Sequence, residues 1–214
     1  ATQPAFNGML GRKGFAVREI APAPSELFKK LKRVSYRFDG VLGDDDLAAR
    51  LADRDQSLCI VNSRKQARRL HELLDGEGSY HLTTLMHPVH RERVLNEIRQ
   101  RLREGRTCRV VATSLIEAGV DVDFPVVYRA LAGVDSMVQA AGRCNREGRQ
   151  SAEESIVHVF EPADDYALPS DVAQKVAIAR SVISEMEGAA CESCDIGALE
   201  AIDAYFARLY AVRE

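Results

Sequence analysis

At 214 residues and 46% hydrophobic, the chain can bury the core of one large domain, or of one domain with an appendage. Its net charge of −3 excludes a general nucleic-acid coat, yet the segment from Asn62 to Arg149 holds 15 Lys/Arg against 11 Asp/Glu and is positive within an acidic whole. No apolar run approaches the roughly 18 residues of a membrane span, and five scattered cysteines suit a reducing cytoplasm better than a disulfide framework.

Residues 1–24 are rich in Gly and Pro and read as an irregular lead-in that ends at "APAP". The opening "ATQPAFNGML" does not begin with Met and has no basic-then-apolar start, which argues against a signal peptide and for a piece of a longer chain. "SELFKKLKRVSYRF" mixes a helix start at Ser25 with an alternating "RVSYRF" that favours a strand. "GDDDLAARLADRDQ" predicts a short helix whose acidic first turn suits the positive dipole end.

A regular alternation follows. "SLCIVN" is a buried strand, and Ser63 caps a helix with Ala67, Leu70, Leu73 and Leu74 as its apolar stripe. After "GEG", "SYHLTTLM" predicts a second strand. "HPVHRERVLNEIRQRLREG" predicts a helix with Pro88 in its first turn, Val94, Leu95, Ile98 and Leu102 on one face and Gly105 past its end. "TCRVVAT", "PVVYRAL" and "SIVHVFEP" are further strands, and "SMVQAAGR" is a short helix. Strands alternating with helices mean an α/β fold: a parallel sheet with helices on both faces, taken over residues 41–162. Residues 163–214, with "SDVAQKVAIARSVISEME" and "IGALEAIDAYFARLYAVRE", read as a C-terminal helical appendage, and residues 1–40 as lead-in.

Several chemistries have no signature here. "GRKG" at Gly11 lacks the spacing and hydroxyl residue of a phosphate loop, and "GEG" lacks the third glycine of a dinucleotide turn. "CESC" (Cys191, Cys194) is a lone pair without a second pair for zinc, and His87 and His90 have no evident third ligand. No metal site is expected.

Three segments fall where ligands bind on such sheets, at the C-terminal ends of strands. Asn62, Ser63 and Arg64 follow one strand. Thr113 and Ser114 follow another, with Gly119 and Asp121 close behind; hydroxyls and free amides there can hold a phosphodiester backbone without reading bases. An ordinary helix cap would account for the same hydroxyls. In "DSMVQAAGRCNREGR", Ser136 and Gln139 have capping-box spacing, which leaves Gly142, Arg143 and Arg146 unexplained. Two arginines at a helix end can stabilise a transferring phosphoryl group, or simply pair with surface carboxylates. Arg149 continues the spacing and reads as solvated.

Taken in order, these segments resemble the second RecA-like domain of superfamily-two helicases over about residues 40 to 162. "ATSLIEAGVD" is similar to that family's fifth motif, and Gln139, Gly142, Arg143 and Arg146 match its sixth, Q-x-x-G-R-x-x-R. "CIVNSRKQARRL", "HLTTLMHPVHRERVLNEI", the opening "ATQPAF" and "EAIDAYFARLY" look more narrowly like the CRISPR-associated helicase-nuclease of type I systems. The resemblance implies half of an ATP-driven DNA translocase, inactive alone, with ATP and Mg²⁺ held mainly by a first RecA-like domain. Gln139, Gly142, Arg143 and Arg146 would face the nucleotide, Arg146 being the arginine finger, and Gly119 and Asp121 would couple nucleotide to DNA. Asn62, Ser63, Arg64, Thr113 and Ser114 would touch single-stranded DNA. The implied partners are single-stranded DNA, the CRISPR surveillance complex, and the first helicase and nuclease domains of the full-length protein. His87 stands where many relatives have His-Gly, but Pro88 follows it here. A stand-alone nucleic-acid-binding regulatory module, or the second domain of a generic repair or RNA helicase, are the competing readings.

Overall fold

The apolar runs become strands of one parallel sheet. A computed structural model describes residues 20–117, 119–188 and 195–212; "ATQPAF", "GRKG", Cys191 and Cys194 lie outside them. In chain order the elements are α1 (Pro24–Lys30), β1 (Ser35–Leu42), α2 (Asp44–Ala52), β2 (Gln56–Ile60), α3 (Arg64–Leu73), β3 (Ser79–Leu82), α4 (Pro88–Arg103), β4 (Cys108–Ala112), β5 (Val127–Ala130), α5 (Val134–Ala141), β6 (Ile156–Pro162), α6 (Ser170–Gly188) and α7 (Leu199–Ala211). A 3₁₀ turn, Ser114–Ile116, follows β4. The strand order is β1-β6-β5-β2-β4-β3, every neighbouring pair parallel. The expected α/β fold is therefore present.

Strand periodicity sorts the core onto two faces. Leu58 and Ile60 of β2, Val110 and Ala112 of β4 and Val127 of β5 pack on one side with Leu95 and Ile98 of α4 and Ala140 and Ala141 of α5. The alternate residues Cys59, Val111, Tyr128 and Ala130 pack on the other side with Leu47 and Leu51 of α2 and Ala67 and Leu70 of α3. Ser63 caps α3 as expected, its Oγ accepting from the Lys65 amide at 3.2 Å.

Three local expectations are corrected. The alternating "RVSYRF" is an edge strand paired to β6, so the division set at residue 40 falls inside β1. "SYHLTTLM" is strand only to Leu82, because the Met86 amide turns back onto the Thr83 carbonyl at 3.1 Å. The capping box at Ser136 does not form: α5 starts two residues earlier, after Gly133, and Ser136 already lies within its first turn.

The two C-terminal helices close a third cluster against the sheet domain. Val176, Ala179, Val182 and Ile183 of α6 and Ala201, Tyr205 and Leu209 of α7 surround Val134 and Met137 of α5 and Val159 of β6. Asp135 pins this junction, accepting from the Tyr205 hydroxyl at 3.0 Å and pairing with Lys175 at 3.3 Å. Gly133 leaves room for this bond, since a Cβ there would lie 2.3 Å from the Asp135 carboxylate and 2.4 Å from the Tyr205 hydroxyl and would displace them.

Candidate functional site

Parallel register sets the upper rim of the site. Ile60 lies level with Ala112 and Arg129, so the residues that follow β2, β4 and β5 emerge side by side at the C-terminal edge. Asn62–Arg64 and Thr113–Ser114 are there as expected. Ser114 and Arg64 are exposed at this edge. Thr113 is buried, and its hydroxyl has no partner among the described residues.

Asn62 differs from expectation. It continues the 58–60 alternation of β2 and so turns inward. Its Nδ2 donates to the Leu131 carbonyl at 2.8 Å, and its Oδ1 accepts from Arg129 Nη1 at 2.8 Å. Both ends of the amide are committed to the scaffold. Ser63 is likewise engaged as the α3 cap.

The arginines lie elsewhere. Helix α5 starts beyond the C-terminal end of β5 and must run back antiparallel to reach the next parallel strand. Its far end therefore meets the strand starts: Cys144 Sγ contacts the carbonyls of Pro125 and Ile156 at 3.6 and 3.9 Å, and Asn145 Nδ2 donates to the Arg33 carbonyl at 2.9 Å. The expectation that all three segments share one edge is thus corrected. Asn62–Arg64 and Thr113–Ser114 hold the C-terminal edge, and Arg146 sits at the opposite end of α5.

The loop after the 3₁₀ turn joins the two ends. Arg143, only 8% exposed, aims its Nε at the Ile116 carbonyl (3.0 Å) and its Nη2 at the Glu117 carbonyl (2.7 Å), with Nη1 on Gly142 (3.3 Å). Here Arg143 clamps the turn that begins at Ser114 instead of presenting its guanidinium outward. Burial lowers its pKa, and neighbouring Arg146 lowers it further. Beyond the clamp the chain bends at Gly119, whose φ of +71° favours glycine. It then places Asp121 against Arg146, Oδ1 to Nε at 2.7 Å, with both side chains partly exposed. Asp123 accepts from the Arg146 amide at 2.7 Å. Gln139 and Gly142 are exposed nearby.

Around Arg146 opens a cleft of about 340 Å³ lined by Arg99, Arg103, Asp121, Asp123 and Arg149. Glu147 also lines it, so four arginines face three carboxylates, with Arg146 paired to Asp121 and Arg149 to Glu147, and the lining is of mixed charge. Among the described residues no cluster of three or more His, Cys, Asp or Glu side chains could hold a metal ion.

Sequence reasoning missed a buried charge pair beneath the clamp. Arg129, 2% exposed, lies on the α5 face of β5 two residues after Val127, with Nη2 at 2.9 Å from Glu117 Oε1. Burial pushes the Glu117 carboxyl up and the Arg129 guanidinium down, each opposed by its partner; Ser136 also hydrogen-bonds the carboxylate. The available signal was an arginine inside the apolar run "PVVYRAL", in step with Val127.

The parallel sheet with helices on both faces is a RecA-like fold. Residues 53–149 match the family model described as CRISPR-associated nuclease/helicase Cas3, C-terminal. A curated relative, the CRISPR-associated nuclease/helicase Cas3 of Methanothermobacter thermautotrophicus, is 28% identical over 177 residues, covering 75% of this chain and 21% of the relative. The chain thus spans about a fifth of that relative's length. Among solved structures, T. fusca Cas3-ADP superposes with a TM-score of 0.62 at 19% identity, over 84% of this chain and 24% of that one. A chain of a CRISPR RNA-guided surveillance complex, pre-nicking, gives 0.59 at 18% identity, over 85% and 27%. The resemblance read from the sequence stands: over its central part this chain is similar to the second RecA-like domain of Cas3.

Proposed function

We propose that this chain is the second RecA-like lobe of an ATP-dependent single-stranded-DNA translocase, the helicase half of a type I CRISPR helicase-nuclease. One observation carries the reading. A single segment, Thr113 to Asp121, begins with hydroxyls at the sheet edge, is gripped in the middle by Arg143 and ends on Arg146 in a cleft lined by four arginines and three carboxylates. Such a segment links a nucleic-acid edge to a phosphate-facing arginine.

Thr113, Ser114 and Arg64 hold the DNA backbone at the edge, and Ser63 and Asn62 shape the loop beside them. Arg146 presents positive charge toward a triphosphate on the first lobe, exchanging its present partner Asp121. Arg143 supports this by fixing the turn, and Gln139, Gly119 and Gly142 line the facing surface. ATP with Mg²⁺, held mainly by the first lobe, supplies the phosphoryl group to be hydrolysed. Single-stranded DNA, the surveillance complex, and the first helicase and nuclease domains of the full-length protein, in a prokaryotic cytoplasm, complete the partners.

The test is phosphate release by the full-length protein with and without single-stranded DNA, beside the 214-residue chain alone. DNA-stimulated turnover by the full-length protein and none by the chain alone is expected. Turnover by the isolated chain well above background, or a full-length protein indifferent to DNA, overturns the reading.

A further inference from the structure

The motif residues are joined by a side chain outside the helicase motifs. Arg129 is the largest fully buried side chain among the described residues. Its guanidinium touches two loops and its own strand at once: Nη1 donates to Asn62 Oδ1 at 2.8 Å and to the Ala130 carbonyl at 2.9 Å, and Nη2 pairs with Glu117 at 2.9 Å. The Glu117 main-chain carbonyl in turn takes the Arg143 Nη2 bond at 2.7 Å. The path therefore runs from the loop Asn62–Arg64, through Arg129 and Glu117, to Arg143 on the α5 end that carries Arg146.

We propose that Arg129 is a positioning residue that couples the DNA-side loops to the nucleotide-side arginines, through its hydrogen bond to Asn62 and its ion pair with Glu117. This rests on the function proposed above and adds the route of communication within the lobe.

Chemistry favours arginine for the part. A planar guanidinium offers five donors in fixed directions, so one group holds an amide oxygen, a carbonyl and a carboxylate in a defined mutual geometry. A lysine ammonium is a point charge on a flexible stem and cannot fix three acceptors in one plane. Burial makes the arrangement sensitive, since a charge taken from water must keep its partners or lose them together. Neither the Arg129 Nε nor the Glu117 Oε1 has a hydrogen-bond partner among the described residues, so charge and not a directed hydrogen bond holds these two groups together. A displacement of the Asn62 loop changes what Nη1 holds, and the Glu117 carboxylate on Nη2 moves with it.

The test uses the full-length protein and compares Arg129→Met with the double variant Arg129→Met/Glu117→Leu, which replaces both buried charges by apolar groups and guards against simple unfolding. Three quantities are read: basal ATP turnover, turnover with saturating oligo(dT), and oligo(dT) affinity by fluorescence anisotropy. Measured against its own basal turnover, the double variant should lose about tenfold or more of the DNA stimulation while DNA affinity stays within about threefold. Arg129→Lys should restore folding stability better than it restores stimulation. A folded double variant whose stimulation stays within about twofold of the parent overturns the coupling role. A parent protein showing no DNA stimulation overturns instead the function on which the role rests.

Discussion

The Arg143 guanidinium binds the backbone carbonyls of Ile116 and Glu117 at 3.0 and 2.7 Å, tying α5 to the turn that opens with Ser114. Charge-assisted bonds to main-chain oxygens fix a loop's path whatever its side chains are. Shape is thereby assigned to Arg143, while Arg146, three residues on and partly exposed, is left for charge.

Replacing Arg146 with Ala in the full-length protein should reduce ATP turnover on the order of 10³-fold or more, by the precedent of arginine fingers. Single-stranded DNA affinity should change little. Steady-state phosphate release and fluorescence anisotropy on the same preparation check both halves. Retained turnover would remove Arg146 from the nucleotide.

Thr113→Val tests the upper rim. The Thr113 hydroxyl is buried with no partner among the described residues, so an isosteric methyl should leave the thermal midpoint unchanged or slightly raised. DNA affinity should nevertheless fall several-fold if that hydroxyl meets a phosphate on closure. A variant with unchanged stability and unchanged affinity leaves Ser114 and Arg64 as the edge contacts.

Acid should destabilise the chain through its imidazoles. Burial is the main cause lowering His71, His81 and His158 from the ordinary 6.5, and for His158 the nearby Asp39 opposes it. Below 6.5 the unfolded chain takes up protons that these folded groups refuse. Stability is therefore lost as pH falls through that value toward the depressed folded ones, by at most about 1.4 kcal/mol per pH unit for each histidine. Thermal midpoints between about pH 7.5 and about pH 5.5 should fall, and less steeply in His158→Gln. That comparison separates imidazole from Glu117, whose raised pKa acts with the opposite sign. A wild-type midpoint constant across the window would contradict the assignment.

Tyr205→Phe should cost about 1 kcal/mol by removing the hydroxyl bond to Asp135, and Tyr205→Ala about 3–5 kcal/mol by adding a cavity. Urea denaturation measures both. A negligible effect from the alanine variant would mean that α7 is not fixed on α5.

Strand periodicity made most of this fold legible, because apolar runs such as "SLCIVN" and "TCRVVAT" have one energetically sensible place, inside a parallel sheet. The edge strand β1 was harder, since only one neighbour pairs with it and its pattern stays mixed. The residue types of the candidate site were readable and their directions were not. Asn62 looked like an edge donor, yet the alternation through Leu58 and Ile60 turns it toward Arg129. Arg143 and Arg146 looked equivalent in spacing, yet the end of α5 buries one and exposes the other. Arg129 was hidden because a single charged letter inside a strand reveals nothing of its partner across the fold.

The bare hydrogen at Gly133 makes that position a size filter set by residues distant in the chain. Any other amino acid adds a carbon where the Asp135 carboxylate and the Tyr205 hydroxyl already sit. Second-site suppressors of a Gly133→Ala defect should therefore arise as smaller side chains at 135 or 205, linking inherited changes near the chain's end to the helix that presents its arginines.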